Sequence, residues 1–343
     1  MEIIRDVTRA NEDWKPMKSR VKSVWEELRE RQPDGNSDEA AENLAFLEWI
    51  ENDHFTFLAY FELDYTPEGP RVTPDTSLGL LRGDDEKWRA LEQIIPLSKG
   101  PCPDNRCSLV TTKASRKSTI HRPAYMDYIG IKRYNGEGEI DGEYCILGLY
   151  SSTAYSRPPT DIPVLRRKVQ AVIEGTRLVS GSHAAKAMMN ILVTLPRDTL
   201  FQITREELLE VAVGILGLQE RQRTRLFMFR DSFDRFYSCL VYVPKEVYSR
   251  ELRVQIQKVL VEGLRGTEVE FETRFSESIL ARVHFVVHVL PGSTPKHDPD
   301  TIEQLVIDAS TTWQDGLRAA LIEKYGESMA ARYYREYGQA FPG

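Results

Sequence analysis

Between Lys113 and Arg122 the chain reads Lys-Ala-Ser-Arg-Lys-Ser-Thr-Ile-His-Arg, a cationic run in a protein whose formal net charge is −7. Arg116 and Arg122 offer planar forks that match a carboxylate or phosphate with two parallel hydrogen bonds; Lys113 adds a point charge, and Ser118 and His121 add further donors. The expectation is an effector site for an amino acid or another carboxylate at Lys113, Arg116, Ser118, His121 and Arg122. Two other readings stay open for the same run: a contact to another domain or subunit, and a plain solvated face.

Other candidate chemistry reduces to structure. His284 and His288 have the spacing of two zinc ligands on a helix, but they lie in a strand pattern, where four residues span roughly 13 Å. Cys102 and Cys107 have no second cysteine pair to complete a structural zinc site, so they read as free loop thiols. Gly136, Gly138 and Gly142 are followed by a strand pattern rather than a helix, which makes them a hairpin turn and not a phosphate cradle. Arg221, Arg223, Arg225, Arg230 and Arg235 form a second cationic cluster, either relevant to effectors or guarding hairpin edges against strand addition. No Gly-x-Ser-x-Gly string and no paired carboxylate motif occurs, so neither catalytic residues nor a metal or cofactor site is expected.

The elements that must position these side chains are legible from periodicity and punctuation. Residues 10–31 and 37–50 have helical patterns separated by Pro33-Asp34-Gly35-Asn36, and Phe55–Phe61 has the aromatic density of a strand. Residues 63–124 read mostly as loops and short elements, broken by repeated Pro and Gly. Tyr125–Tyr134 and Glu143–Ser152 then form strands joined by the glycine-rich turn. Helix, strand, wandering loops and a long hairpin are similar in order to a PAS-like sensor domain.

Pro158-Pro159 and Pro163 mark a boundary, after which helices are expected over 162–178 and 182–195. A second unit follows: a short strand at 199–203, a helix at 205–220 whose Thr204 and Glu207 form a capping box, and a hairpin built from Leu226–Phe229 and Phe236–Val243 around Asp231–Arg235. A helix at 249–262 and strands at 267–276 and 281–290 complete an alternation that resembles a ferredoxin-like ACT-type sandwich. In the last two strands Glu268, Glu270 and Glu272 would lie beside Arg282, His284 and His288. The expected fold class is therefore α+β: a helical lead-in (1–36), a PAS-like antiparallel-sheet domain (37–157), a helical connector (158–197), an ACT-like domain (198–291) and a helical tail (292–343).

Composition bounds the rest. At 343 residues the chain favours two domains of roughly 100–200 residues each. Its 41% hydrophobic and 28% charged content is ordinary for a globular protein, and the acidic balance argues against nucleic acid as a main partner. The charged start Met1-Glu2-Ile3-Ile4-Arg5-Asp6 has no signal core, no apolar run approaches the ~20 residues of a membrane span, and four scattered cysteines make no disulfide framework. A cytoplasmic location is expected.

Particular strings carry a resemblance: Pro196-Arg197-Asp198, Leu200-Phe201-Gln202, Leu218-Gln219-Glu220-Arg221, Leu226-Phe227, Arg235-Phe236 and Ser238–Pro244, together with Lys113, Arg116–Pro123 and Asp127-Tyr128-Ile129-Gly130. With these the chain resembles the large bacterial NAD-specific glutamate dehydrogenases, which are several times longer and hold their catalytic half at the C-terminal end. The resemblance implies a non-catalytic regulatory or assembly piece of the N-terminal half. It implies NAD as cofactor of the parent only, and as partners the other domains and subunits of a homo-oligomer. The competing expectation is a stand-alone ligand sensor or adaptor.

Overall fold

A computed structural model describes residues 2–30, 37–83, 108–218, 223–231, 233–276, 278–290, 292–311 and 313–337. The chain divides into two units, Met1–Leu216 with Asp231–Arg235, and Gly217–Arg230 with Phe236–Gly343. The turn at 33–36 and the thiols Cys102 and Cys107 lie outside the described residues.

The first unit opens with two helices where the pattern suggested one, α1 (Glu2–Glu12) and α2 (Trp14–Glu30). The break falls at Asp13, whose carboxylate accepts hydrogen bonds from the Gly79 amide and the Arg82 guanidinium, each at 2.7 Å. Met17, Val21 and Val24 form the buried stripe of α2. Helix α3 (Ser37–Trp49) carries Asp38 and Glu39 in its first turn, where the helix dipole favours negative charge.

An antiparallel sheet follows: β1 (Phe55–Thr66), β2 (Gly69–Val72), β3 (Leu78–Gly79), β4 (Leu109–Lys117), β5 (Tyr125–Tyr134) and β6 (Ile140–Tyr150). The strand order is β2-β1-β6-β5-β4, with β3 paired to β1. The turn from β5 to β6 is the expected hairpin, pinned by the Asn135 side chain, which accepts from the amides of Glu137 and Glu139. Strand β4, at nine residues, is longer than the loops and short elements expected over 63–124. The Lys113 end of the basic run is sheet, because its alternation of polar side chains records two faces that both meet protein. One face of the sheet buries Phe61, Leu63, Tyr128, Cys145, Leu147 and Leu149.

Beyond β6 come α4 (Ser152–Ser156), α5 (Leu165–Thr176), α6 (His183–Thr194), α7 (Arg197–Gln202) and α8 (Arg205–Leu218). The strand expected at 199–203 is the helix α7. Its end is held by the Lys168 ammonium, which donates to the carbonyls of Leu200, Phe201 and Ile203 at 2.8–3.0 Å. The Thr111 hydroxyl on edge strand β4 also donates to the Phe201 carbonyl at 3.1 Å, so side chains rather than a strand partner satisfy this β-prone run. The capping box at α8 forms as expected: Thr204 N–H donates to the Glu207 carboxylate, and Glu207 N–H donates to the Thr204 hydroxyl.

The second unit holds β7 (Arg225–Arg230), β8 (Phe236–Pro244), α9 (Arg250–Leu264), β9 (Gly266–Phe275), β10 (Leu280–Val289), α10 (Pro299–Ser310) and α11 (Trp313–Tyr337). Its antiparallel sheet runs β7-β8-β10-β9. Val283, Phe285 and Val287 pack against Leu252, Ile256 and Leu260 of α9 and against Ile302 and Val306 of α10. Alternation along β10 thus puts both helices on one face. On the other face His284 lies opposite Glu272 and His288 opposite Glu268. Arg282, however, lies opposite Arg274, so the acidic and basic stripes are not cleanly matched. The protein is α+β, with two antiparallel sheets, an ACT-type second unit and a helical tail.

Candidate functional site

The basic run is divided by its strand. Lys113 lies among the side chains facing the helices, and its ammonium is 2.6 Å from Asp127 Oδ1 on β5 and 3.2 Å from Asp198 Oδ2 on α7. Asp127 Oδ2 accepts the Tyr150 amide at 3.0 Å, and the Tyr155 hydroxyl donates to Asp198 at 3.1 Å. Arg122 donates to the Tyr150 carbonyl at 3.1 Å and its guanidinium lies 5.4 Å from the Tyr155 ring centre. The Tyr150 ring stacks on Phe201 of α7 with centroids 4.6 Å apart. Three strands, a turn and two helices therefore meet around the Lys113 ion cluster.

The electrostatics follow from burial. Burial works to lower the Lys113 pKa, but the carboxylates of Asp127 and Asp198 outweigh it and raise it. Burial pushes the Asp127 carboxyl up to about 6, against the pull of Lys113 and with the help of Asp198. Burial also pushes the Tyr155 phenol up, and Asp198 adds to that shift. Lys113 is thus a fixed cation shared by two acids, and Asp127 is the group able to change charge.

The remaining predicted residues are placed elsewhere. The Ser118 hydroxyl donates to the Ile120 carbonyl at 2.6 Å and receives the Ile120 amide, closing a local turn. His121 sits exposed at that turn with φ 70°. Arg116 lines a cavity of about 10 Å³, room for one water, with Asp6, Lys117, Thr119, Leu80 and Met126. Thr119 donates to Asp6 of α1 at 2.8 Å. The five residues therefore do not converge on one point. Asp127, Asp198 and Tyr155 were not among the residues predicted from sequence; a lone carboxylate inside the apolar Tyr125–Tyr134 pattern was the available signal.

In the second cationic cluster Arg225 pairs with Glu303 at 3.2 Å, and Arg230 lies 5.7 Å from the Tyr237 ring centre. Arg235 is buried in the first unit with Asp231, while Arg221 lies outside the described residues. His284 shares a 2.8 Å hydrogen bond with Ser238. Among the described residues no cluster of three or more His, Cys, Asp or Glu suits a metal ion. The glycine-rich turn has strands on both sides, so it does not fit a dinucleotide. No described helix is long and apolar enough to cross a membrane.

Comparison with known proteins places these parts. Residues 162–221 match the family model described as glutamate dehydrogenase, helical motif 1, and residues 225–314 match glutamate dehydrogenase, ACT2 domain. Over its whole length the chain is 37% identical to the NAD-specific glutamate dehydrogenase of Halomonas elongata, covering 22% of it, and 34% identical to that of Pseudomonas aeruginosa, covering 21%. Over 86% of the chain it is 26% identical to the NAD-specific glutamate dehydrogenase of Mycobacterium tuberculosis, covering 18% of it. The chain thus spans about a fifth of the length of these relatives and matches their N-terminal part. Helices α5–α8 lie within the helical-motif match and the second sheet within the ACT2 match. Over its full length the chain is thus similar to the N-terminal region of the large NAD-specific glutamate dehydrogenases.

Proposed function

We propose that this chain is a non-catalytic regulatory and assembly portion of a cytoplasmic, homo-oligomeric enzyme that converts L-glutamate, NAD and water to 2-oxoglutarate, ammonium and NADH. The observation that carries this reading is the antiparallel sheet at 225–289, with two helices on one face, inside the ACT2 match. NAD belongs to the parent enzyme. The first sheet, under this reading, is a PAS-like unit bounded at 37–157, and the residues from 292 form a helical tail.

Two modes are available to such a piece. An effector acts by binding one assembly state more tightly than another; an assembly platform acts through fixed contacts. The assembly mode is favoured by Lys113, Ser118 and Arg122, whose polar groups are engaged inside the fold. A carboxylate effector that draws on Lys113, Arg116, Ser118, His121 or Arg122 is the alternative. The 343-residue chain mixed with L-glutamate and NAD is expected to form no NADH, and NADH formation overturns the proposal. Calorimetry with aspartate, glutamate and citrate decides the mode. Heat that disappears in Arg116→Ala selects the effector site, whereas silent titrations remove it for this chain.

A further inference from the structure

Lys113 is bonded across two kinds of boundary at once. Its 2.6 Å contact to Asp127 joins neighbouring strands β4 and β5, and its 3.2 Å contact to Asp198 joins the sheet to helix α7. The acids differ in surroundings: the Asp127 side chain is 3% exposed and that of Asp198 is 32% exposed. Among the described residues, the charged or titratable groups around Asp127 are Lys113 on β4, Asp198 on α7, Tyr150 on β6, Tyr155 on α4, and Arg122 in the turn before β5. Arg122 bonds a carbonyl rather than either acid, so two carboxylates share one ammonium.

We propose that Lys113, Asp127 and Asp198 form a proton-operated latch, in which uptake of one proton by Asp127 hands the Lys113 ammonium to Asp198 and tightens helix α7 on the sheet. The step is a simple proton transfer from solvent. A protonated Asp127 no longer attracts the ammonium, which moves toward the α7 carboxylate already beside it. Release of the proton returns Lys113 to its shared position and loosens the helix. Tyr155 and the Tyr150–Phe201 stack couple α4 and α7 to the same event.

Burial and the like charge of Asp198 raise the Asp127 pKa, in keeping with this latch. A carboxyl whose folded value lies above its unfolded value contributes stability that is full below the unfolded value of 3.8 and lost as pH rises through about 6. The test uses the intact chain. Amide hydrogen exchange of residues 199–203, corrected for intrinsic rates, should be about tenfold slower at about pH 5 than at about pH 7.5. Asp127→Asn should remove that difference. Equal protection at both pH values in the parent, or an unchanged difference in the variant, overturns the latch. Carbon-13 NMR of the Asp127 carboxyl gives a measure that needs no destabilising change: a midpoint near 6 supports the proposal and one near the ordinary 3.8 overturns it. Asp198→Asn should lower that midpoint, since the like charge is gone, and a constant midpoint is equally fatal.

Discussion

Lys113 illustrates how a side chain's type and its role separate at the residue scale. Its charge is plain in the sequence, but its partners Asp127 and Asp198 come from another strand and a distant helix. Gly148 makes a similar point about space. A Cβ there would lie 2.1 Å from the Thr56 carbonyl and 2.3 Å from the Phe55 ring, beside the register shift between Phe57 and Ala59. Because the nearest obstacle is backbone, relief requires moving β1 itself. Gly148→Ala should destabilise the first unit by about 2–3 kcal/mol, read from the urea midpoint. A change within experimental scatter would show that β1 yields freely at this bulge. Glycine here is a requirement of close strand approach, which no composition rule reveals.

At the scale of elements, the 226–243 hairpin was legible because two apolar runs flank a polar corner. The corner's second task was not. Asp231 accepts from Thr112 Oγ1 at 2.6 Å, from the Arg235 guanidinium at 2.9 Å and from the Phe233 amide at 3.2 Å, while the Phe233 ring joins the core of the first unit. One carboxylate thus gathers a hydroxyl from β4 and a guanidinium that is 4% exposed. Asp231→Ala should cost about 3–5 kcal/mol, because a buried cation loses its counter-charge. Pairing it with Arg235→Met should recover part of that loss, and a double variant less stable than Asp231→Ala would refute this account. The 199–203 run shows the reverse case, a strand-like sequence made helical by Lys168 at its carbonyl end.

Across the whole molecule the ionisable groups pull the pH profile in opposite directions. Burial works against ionised Glu42, yet hydrogen bonds from Arg166 and the Val164 amide hold its pKa below the usual carboxylate range. That contribution is present above the unfolded value of 4.5 and lost as pH falls through the depressed folded value. The Asp127 contribution has the opposite sign, being lost as pH rises through about 6. First-unit stability should therefore peak on the acid side of neutrality, between about pH 4 and 6, in urea midpoints followed across pH. A maximum at or above neutral pH would exclude Asp127 as a significant contributor. Most helices and long strands, the 125–150 and 226–243 hairpins, the capping box and the likeness to the large glutamate dehydrogenases were legible in the sequence. Apolar periodicity and turn chemistry are local, and so are written in neighbouring residues. The break at Asp13, the helix at 197–202 and the partners of Lys113 came instead from long-range packing. Each depends on which distant donor or acceptor satisfies a buried polar group, and such pairing leaves no period in the chain.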